Sequence, residues 1–263
     1  MAVPVLRRWM LDGWRGLLGW SLGVAAVVLV YLPLYPSMNA PELMRMIDSL
    51  PPELVRTLAY EDITSGAGYT TATFFGLVGF VLITIAGITW GASFIAGAEE
   101  SGQLELTLAH SVGRVQYALE SGAALVVRLL ILGGVAGVLV WAMNGPVELG
   151  LHPSNLVAMT AAWVGLGALS ATTALTAGAL TGRRSWSVAA GATVAVAGYV
   201  LQAVANNSDQ LDWLRALSSY DWAFGRTPLA DGADWAGLAL LWGGSAILIA
   251  VTTAALSRRD ILG

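Results

Sequence analysis

The chain has 263 residues, 56% of them hydrophobic and only 11% charged, with a formal net charge of −4 and a mean hydropathy of +0.69. That apolar share exceeds what the core of a soluble domain absorbs, so an ordinary soluble globular class is excluded and lipid must serve as most of the solvent. Cysteine is absent, which removes disulfides, thiol catalysis and thiolate metal sites together.

Arg7 and Arg8 precede an apolar run that reaches past Tyr31 to a proline-containing end. No small-x-small cleavage pattern follows, so the run reads as an uncleaved first helix and not as a signal peptide. Stretches without Asp, Glu, Lys or Arg cover residues 16–41, 63–98, 129–147, 149–182, 185–208 and 235–257. Each satisfies the roughly 20 residues that a helix needs to cross hydrocarbon. Backbone groups in lipid must bond internally, and these runs lack strand-like alternation, so helices are expected and a barrel is not. The predicted fold is an all-α polytopic bundle, one transmembrane domain over residues 1–263. Its helices fall at about 17–34, 72–96, 122–143, 154–181, 186–205 and 235–256.

After the first helix, Leu43, Ile47, Leu50, Leu54 and Leu58 recur at helical spacing, and Pro51 and Pro52 follow Ser49 as a helix start would. Two short amphipathic helices at the outer interface are expected there. A weaker segment of the same kind lies near 208–235, with Leu211, Leu214 and Leu217 and the aromatic anchors Trp213, Tyr220 and Trp222.

All thirteen basic residues are arginines. In the six-helix arrangement Arg7, Arg8, Arg15, Arg114, Arg128, Arg183, Arg184, Arg258 and Arg259 share one side, whereas Arg45, Arg56, Arg215 and Arg226 share the other. The positive-inside rule then makes both termini cytoplasmic. Most of the acids, Glu42, Asp48, Glu53, Glu61, Asp62, Asp209 and Asp212 among them, fall outside. The acidic pI of 5.1 therefore describes outer loops and says little about a partner.

The second and third helices are joined on the inner side by residues 95–120, an acidic, Gly-interrupted segment with Glu99, Glu100, Glu105 and Glu120. Leu104, Leu106 and Leu108 sit among those acids, more than a simple turn requires. "LELTL" alternates like a strand, but a lone strand leaves its hydrogen bonds unpaired. As a helix it places Leu104 and Leu108 on one face with Glu105 elsewhere, an amphipathic element with a polar side for a partner. The plainer alternative is an interfacial helix that only anchors the loop.

Chemistry-bearing motifs are scarce. The two histidines, His110 and His152, fall on opposite sides, so triads, HExxH zinc sites and histidine relays have no material. No GxSxG elbow occurs, and without lysine there is no Walker A loop. Arg128 alone lies within a helix, about 10 Å past Ser121 at 1.5 Å per residue. Snorkelling back to the lipid phosphates is one reading; pairing with Glu105 or Glu120, or contact with an anionic substrate, is the other. Gly, Ala, Ser and Thr crowd the fourth and fifth helices, as close helix packing requires; a substrate path lined by the same faces is the alternative.

The segment "AEESGQLELTLAHSVGR" resembles the pattern E-E-x-G-T-L-E-L-L-L-A-x-P-V-S-R of ABC-2 type permeases, the membrane subunits of ABC exporters. Glu99 and Glu100 match the leading acids, Gly102 the glycine, Leu104, Glu105 and Leu106 the L-E-L core, and Arg114 the closing arginine. Gln103 replaces a frequent Thr and Ser111 the usual Pro. "SLPPELVRTL", "DITSGAGYTTATFF" and "SRRDIL" extend the likeness from Tyr35 to Leu262.

The resemblance implies a cytoplasmic coupling helix and separate ABC-type ATPase subunits beneath it. It also implies a second permease subunit, the same chain or a homologue, in a bacterial plasma membrane. Glu99, Glu100, Gly102, Leu104, Glu105, Leu106 and Arg114 would couple to the ATPases. Phe74, Phe75, Thr84, Thr89, Thr193 and Gln202 would be candidate path-lining residues, with Arg128 a further intramembrane candidate. ATP and Mg belong to the partner; no cofactor, metal or nucleic acid is expected on this chain, only membrane lipid. An ABC-2 fold serving cofactor assembly or lipid handling is the nearest rival. An ion-gradient-driven transporter is less favoured, since no acid lies centrally in the six helices.

Overall fold

A computed structural model describes residues 3–39, 65–109, 112–207 and 209–259. Every regular element among them is helical. Helix α1 (Pro4–Asp12) begins with a proline, whose missing N–H is no loss in a first turn, and stops at Gly13. Helix α2 (Trp14–Tyr31) then tightens into a 3-10 segment, Leu32–Asn39, around Pro36. Helix α3 runs Gly66–Glu100 and widens to π-helical pitch over Thr71–Val78 and Ser93–Gly97. Helix α4 (Gln103–Ala109) is short, and α5 (Arg114–Asn144), α6 (Pro153–Thr181) and α7 (Arg184–Asn206) are long. A 3-10 segment, Asp209–Leu217, and the short helices α8 (Ser219–Phe224) and α9 (Pro228–Asp231) lead to α10 (Trp235–Arg258).

Helices α2, α3, α5, α6, α7 and α10 are long and apolar enough to cross a membrane, so the chain is a multi-pass helical membrane protein. Several outrun the uncharged stretches: α3 runs on through Glu99 and Glu100, and α5 starts at Arg114 and carries Glu120. The backbone stays helical where the side chains turn polar, and apolar counting marks only the part sized for hydrocarbon. The amphipathic helices expected around Leu43, Ile47, Leu50, Leu54 and Leu58 lie outside the described residues.

Helix α6 is the hub, packing on α3, α5, α7 and α10. In its most apolar stretch 78% of residues are buried, against 17% in α2 and α10 and 22% in α7. Small residues permit this. Gly87 and Gly91 of α3 lie so close to Gly167 and Ala171 of α6 that a methyl on Gly91 would strike the Ala171 carbonyl, and Gly191 of α7 meets the Ser170 carbonyl. Thr176 and Thr252 add polar glue between α6 and α10, with hydroxyls 2.9 Å apart. The outer helices turn Leu22, Val30, Trp186, Val196 and Ile247 outward, an apolar surface suited to lipid.

Candidate functional site

Polar contacts concentrate at the arginine-rich end of the bundle, where α1, α4 and the ends of α3, α5, α6, α7 and α10 meet. Helix α3 ends at Glu100, and Ser101 and Gly102 reverse the chain into α4. Gly102 has φ of +71°, a left-handed conformation that glycine adopts without the Cβ penalty. Leu104 is then fully buried, and Leu108 packs half-buried on the same core. Glu105 points outward, and Leu106 is 65% exposed. The helical reading of "LELTL" thus holds, with one apolar face seated and a mixed face turned outward.

Glu99 and Arg114 are half-buried and do not share that outward aspect, while Glu100 is exposed but tied to a neighbouring helix. The Glu99 carboxylate accepts from the guanidinium of Arg259. Another nitrogen of Arg259 donates to the Ala179 carbonyl at 3.0 Å, and the backbone carbonyl of Arg259 accepts from Arg114 at 2.7 Å. Glu100 accepts the backbone N–H of Arg184 at 2.8 Å. That carboxylate sits at the first turn of α7, where the helix dipole favours negative charge. Together these contacts staple α3, α5, α6, α7 and α10 to one another.

Helix α5 secures α1 in a comparable way. Glu120 accepts the N–H groups of Val5 at 2.7 Å and Leu6 at 2.9 Å, in the first turn of α1. Arg128 donates to the Trp9 carbonyl near the other end of α1. One helix therefore offers a carboxylate to the positive pole and a guanidinium to the negative pole of its short neighbour. The alternative pairing of Arg128 with Glu105 or Glu120 is not what the structure has. Both Glu120 oxygens are taken, by α1 and by Gln116 at 2.7 Å, and Glu105 faces outward. Nor does Arg128 reach solvent, being 3% exposed. Its Cζ lies 5.2 Å from the Trp90 ring centroid and 5.0 Å from that of Phe94, a cation–π setting. Arg8 of α1 donates to Thr107 at 3.1 Å and to Gln103 at 3.3 Å, which ties α1 to α4.

The candidate lining residues do not converge. Phe74 and Phe75 are fully buried against Trp163, with centroids 5.7 and 5.8 Å away. Thr84 is buried, Thr89 half-buried, and Thr193 exposed while bonding back to the Ala189 carbonyl. Gln202 lies at the opposite end, 3.4 Å from Asn206. An apolar groove of about 640 Å³ between α5, α6 and α10, lined by Gly134, Gly137, Trp141, Thr160 and Trp242 among others, includes none of them.

Arg8, Glu120 and Arg259 are the members of this cluster that sequence reasoning did not assign to it. Arg8 and Arg259 carried a signal, as flanking arginines on the same predicted side; Glu120 carried one as an acid of the inner segment, but as a possible partner of Arg128 and not of α1. No protein-family model matches the chain, and no curated protein matches it. Fold and site together define a polytopic helical membrane protein whose long helices are cross-linked at one end by the Glu99–Arg259 ion pair and by helix-terminus contacts.

Proposed function

We propose that the chain is the permease subunit of an ATP-driven ABC-2 type exporter in a bacterial plasma membrane, with the arginine-rich end cytoplasmic. The observation that carries this reading is α4: a short helix between the second and third long helices, seated by Leu104, presenting Glu105 and Leu106 outward. The resemblance of residues 99–114 to the ABC-2 coupling segment supports the same assignment. So does the positive-inside distribution of the arginines.

In this reading separate ABC-type ATPases, which hold ATP and Mg, dock on α4, and a second permease subunit completes the path. Glu105 and Leu106 are the contact surface. Glu99, Glu100 and Arg114 act behind it, through Arg259 and Arg184, so that a push on α4 reaches the ends of α3, α5, α6, α7 and α10 as one body. Gly102 sets the turn that lets α4 project.

The test is gentle solubilisation of the tagged chain from its native membrane, followed by mass spectrometry of what stays bound. A stoichiometric ABC-type ATPase is expected, and its permease-dependent ATP hydrolysis should fall in Glu105→Arg. A chain recovered alone, under conditions that preserve a known ABC complex, overturns the proposal.

A further inference from the structure

The groove between α5, α6 and α10 is left unfilled by the side chains of the described residues. Its volume is about 640 Å³, within the range of ligand sites, and it follows α5 from Leu130 to Trp141, about 16 Å at 1.5 Å per residue. A methyl added to Gly134 would meet nothing within 4 Å. The groove opens toward lipid: Val138 of α5 and Val157 of α6, which line it, are 70% and 69% exposed, on helices long and apolar enough to cross a membrane.

Its walls decide what can occupy it. The Trp242 indole donates to the Ala161 carbonyl at 3.2 Å. The Thr160 hydroxyl is shielded and lies toward Gly137, where an added Cβ would stand 3.4 Å from it. A ligand held by charge or several hydrogen bonds finds no partners along such walls, whereas a hydrocarbon chain needs none. Width excludes a whole helix. A volume of 640 Å³ over that length gives a channel about 7 Å across, against about 10 Å for a helix with its side chains. Left empty, the groove would deprive its lining of dispersion contacts, which a chain lying on three helices restores.

One end of the groove is polar. Trp141 stands three residues before the end of α5, a position suited to the membrane interface. Pro153, which opens α6, also lines the groove, and His152 before it is exposed, with Nδ1 2.8 Å from the Ser154 hydroxyl. An amphiphile can therefore lay one chain along the groove and keep its headgroup among these helix ends.

We propose that this groove holds one acyl chain of a membrane phospholipid, with the headgroup beside Trp141 and His152. The inference does not rest on the transporter reading, since it needs only the α5, α6 and α10 geometry.

The test uses the full purified chain, delipidated in detergent, titrated with dimyristoyl or dihexanoyl phosphatidylcholine and followed by native mass spectrometry. The dimyristoyl lipid should bind with one preferred copy. The dihexanoyl lipid, whose chains are too short to run the length of the groove, should bind at least about tenfold more weakly. Gly134→Leu fills the groove from α5 and should weaken dimyristoyl binding by a similar factor with melting unchanged. Gly19→Leu, at an exposed position of α2 where a methyl also meets nothing within 4 Å, should leave binding as it was. Equal binding of the two lipids, or the same effect of the two leucine variants, would overturn the proposal. So would a dimer of the chain that Gly134→Leu dissociates, which would give the groove to a second copy.

Discussion

Arg259, the residue that follows α10, gives its guanidinium to the carboxylate of Glu99 near the end of α3. Both side chains are largely shielded, at 24% and 17% exposure, so screening by water is weak and removal of one partner strands the other. Glu99→Gln and Arg259→Gln should each lower the stability of the detergent-solubilised chain by about 1–3 kcal/mol. In a double-mutant cycle the pair should show a coupling of about 0.5–3 kcal/mol. Strictly additive melting shifts would show that the ion pair does not hold these helices together.

Leu104 and Leu106 are two residues apart on α4 and should behave oppositely. Leu104 is fully buried, so Leu104→Ala should destabilise by about 2–5 kcal/mol through the cavity it leaves. Leu106 is mostly exposed, and Leu106→Ala should stay within about 0.5 kcal/mol. If α4 is a docking surface, Leu106→Arg should lower ATPase capture with melting unchanged. Equal thermal effects of the two alanine variants would mean that α4 does not sit as described.

The six long helices were legible because hydrocarbon imposes a length and an absence of charge, and both can be counted along a sequence. The seat of α4 was legible from the spacing of Leu104 and Leu108. The partners of the charged residues were not. Glu99 and Arg259 lie 160 residues apart in the chain, and nothing local to either says which of the nearby opposite charges it meets. Arg128 misled for a related reason. Its depth predicted a search for phosphate or carboxylate, whereas the carbonyl end of α1 and two aromatic rings surround it. Counting along one helix does not reveal that a second, shorter helix lies against it. The lining residues chosen from α3 and α7 scatter, because composition alone does not say which face of a membrane helix meets α6.

Gly13 and Gly16 separate close approach from simple flexibility. A methyl on Gly13 would run into the Arg128 guanidinium, whereas one on Gly16 meets nothing within 4 Å. Gly16→Ala, inside α2, should therefore be neutral or stabilising by up to about 1 kcal/mol, the helix-propensity gain. Gly13→Ala must move Arg128 off the Trp9 carbonyl and should destabilise by about 1–2 kcal/mol. Thermal unfolding of the two variants side by side is sufficient; a more stable Gly13→Ala would show that Arg128 relocates freely and that its contact with α1 carries little weight.

Asp221 of α8, outside the long helices, gives a pH prediction. Burial pushes its carboxyl above the usual 3.8, against the pull of Arg215, 3.7 Å away, and a hydrogen bond from Gln202. A raised pKa means that the folded chain holds the proton more tightly than the unfolded chain. The stabilisation is complete below 3.8 and is lost as pH rises through the folded value. Asp221→Asn mimics the protonated carboxyl and removes that loss. Its melting temperature relative to wild type should therefore climb from pH 4 toward pH 7, with the two proteins close at the acid end. Should wild type instead gain on the variant as pH rises, the Arg215 pairing outweighs burial and the folded pKa is depressed.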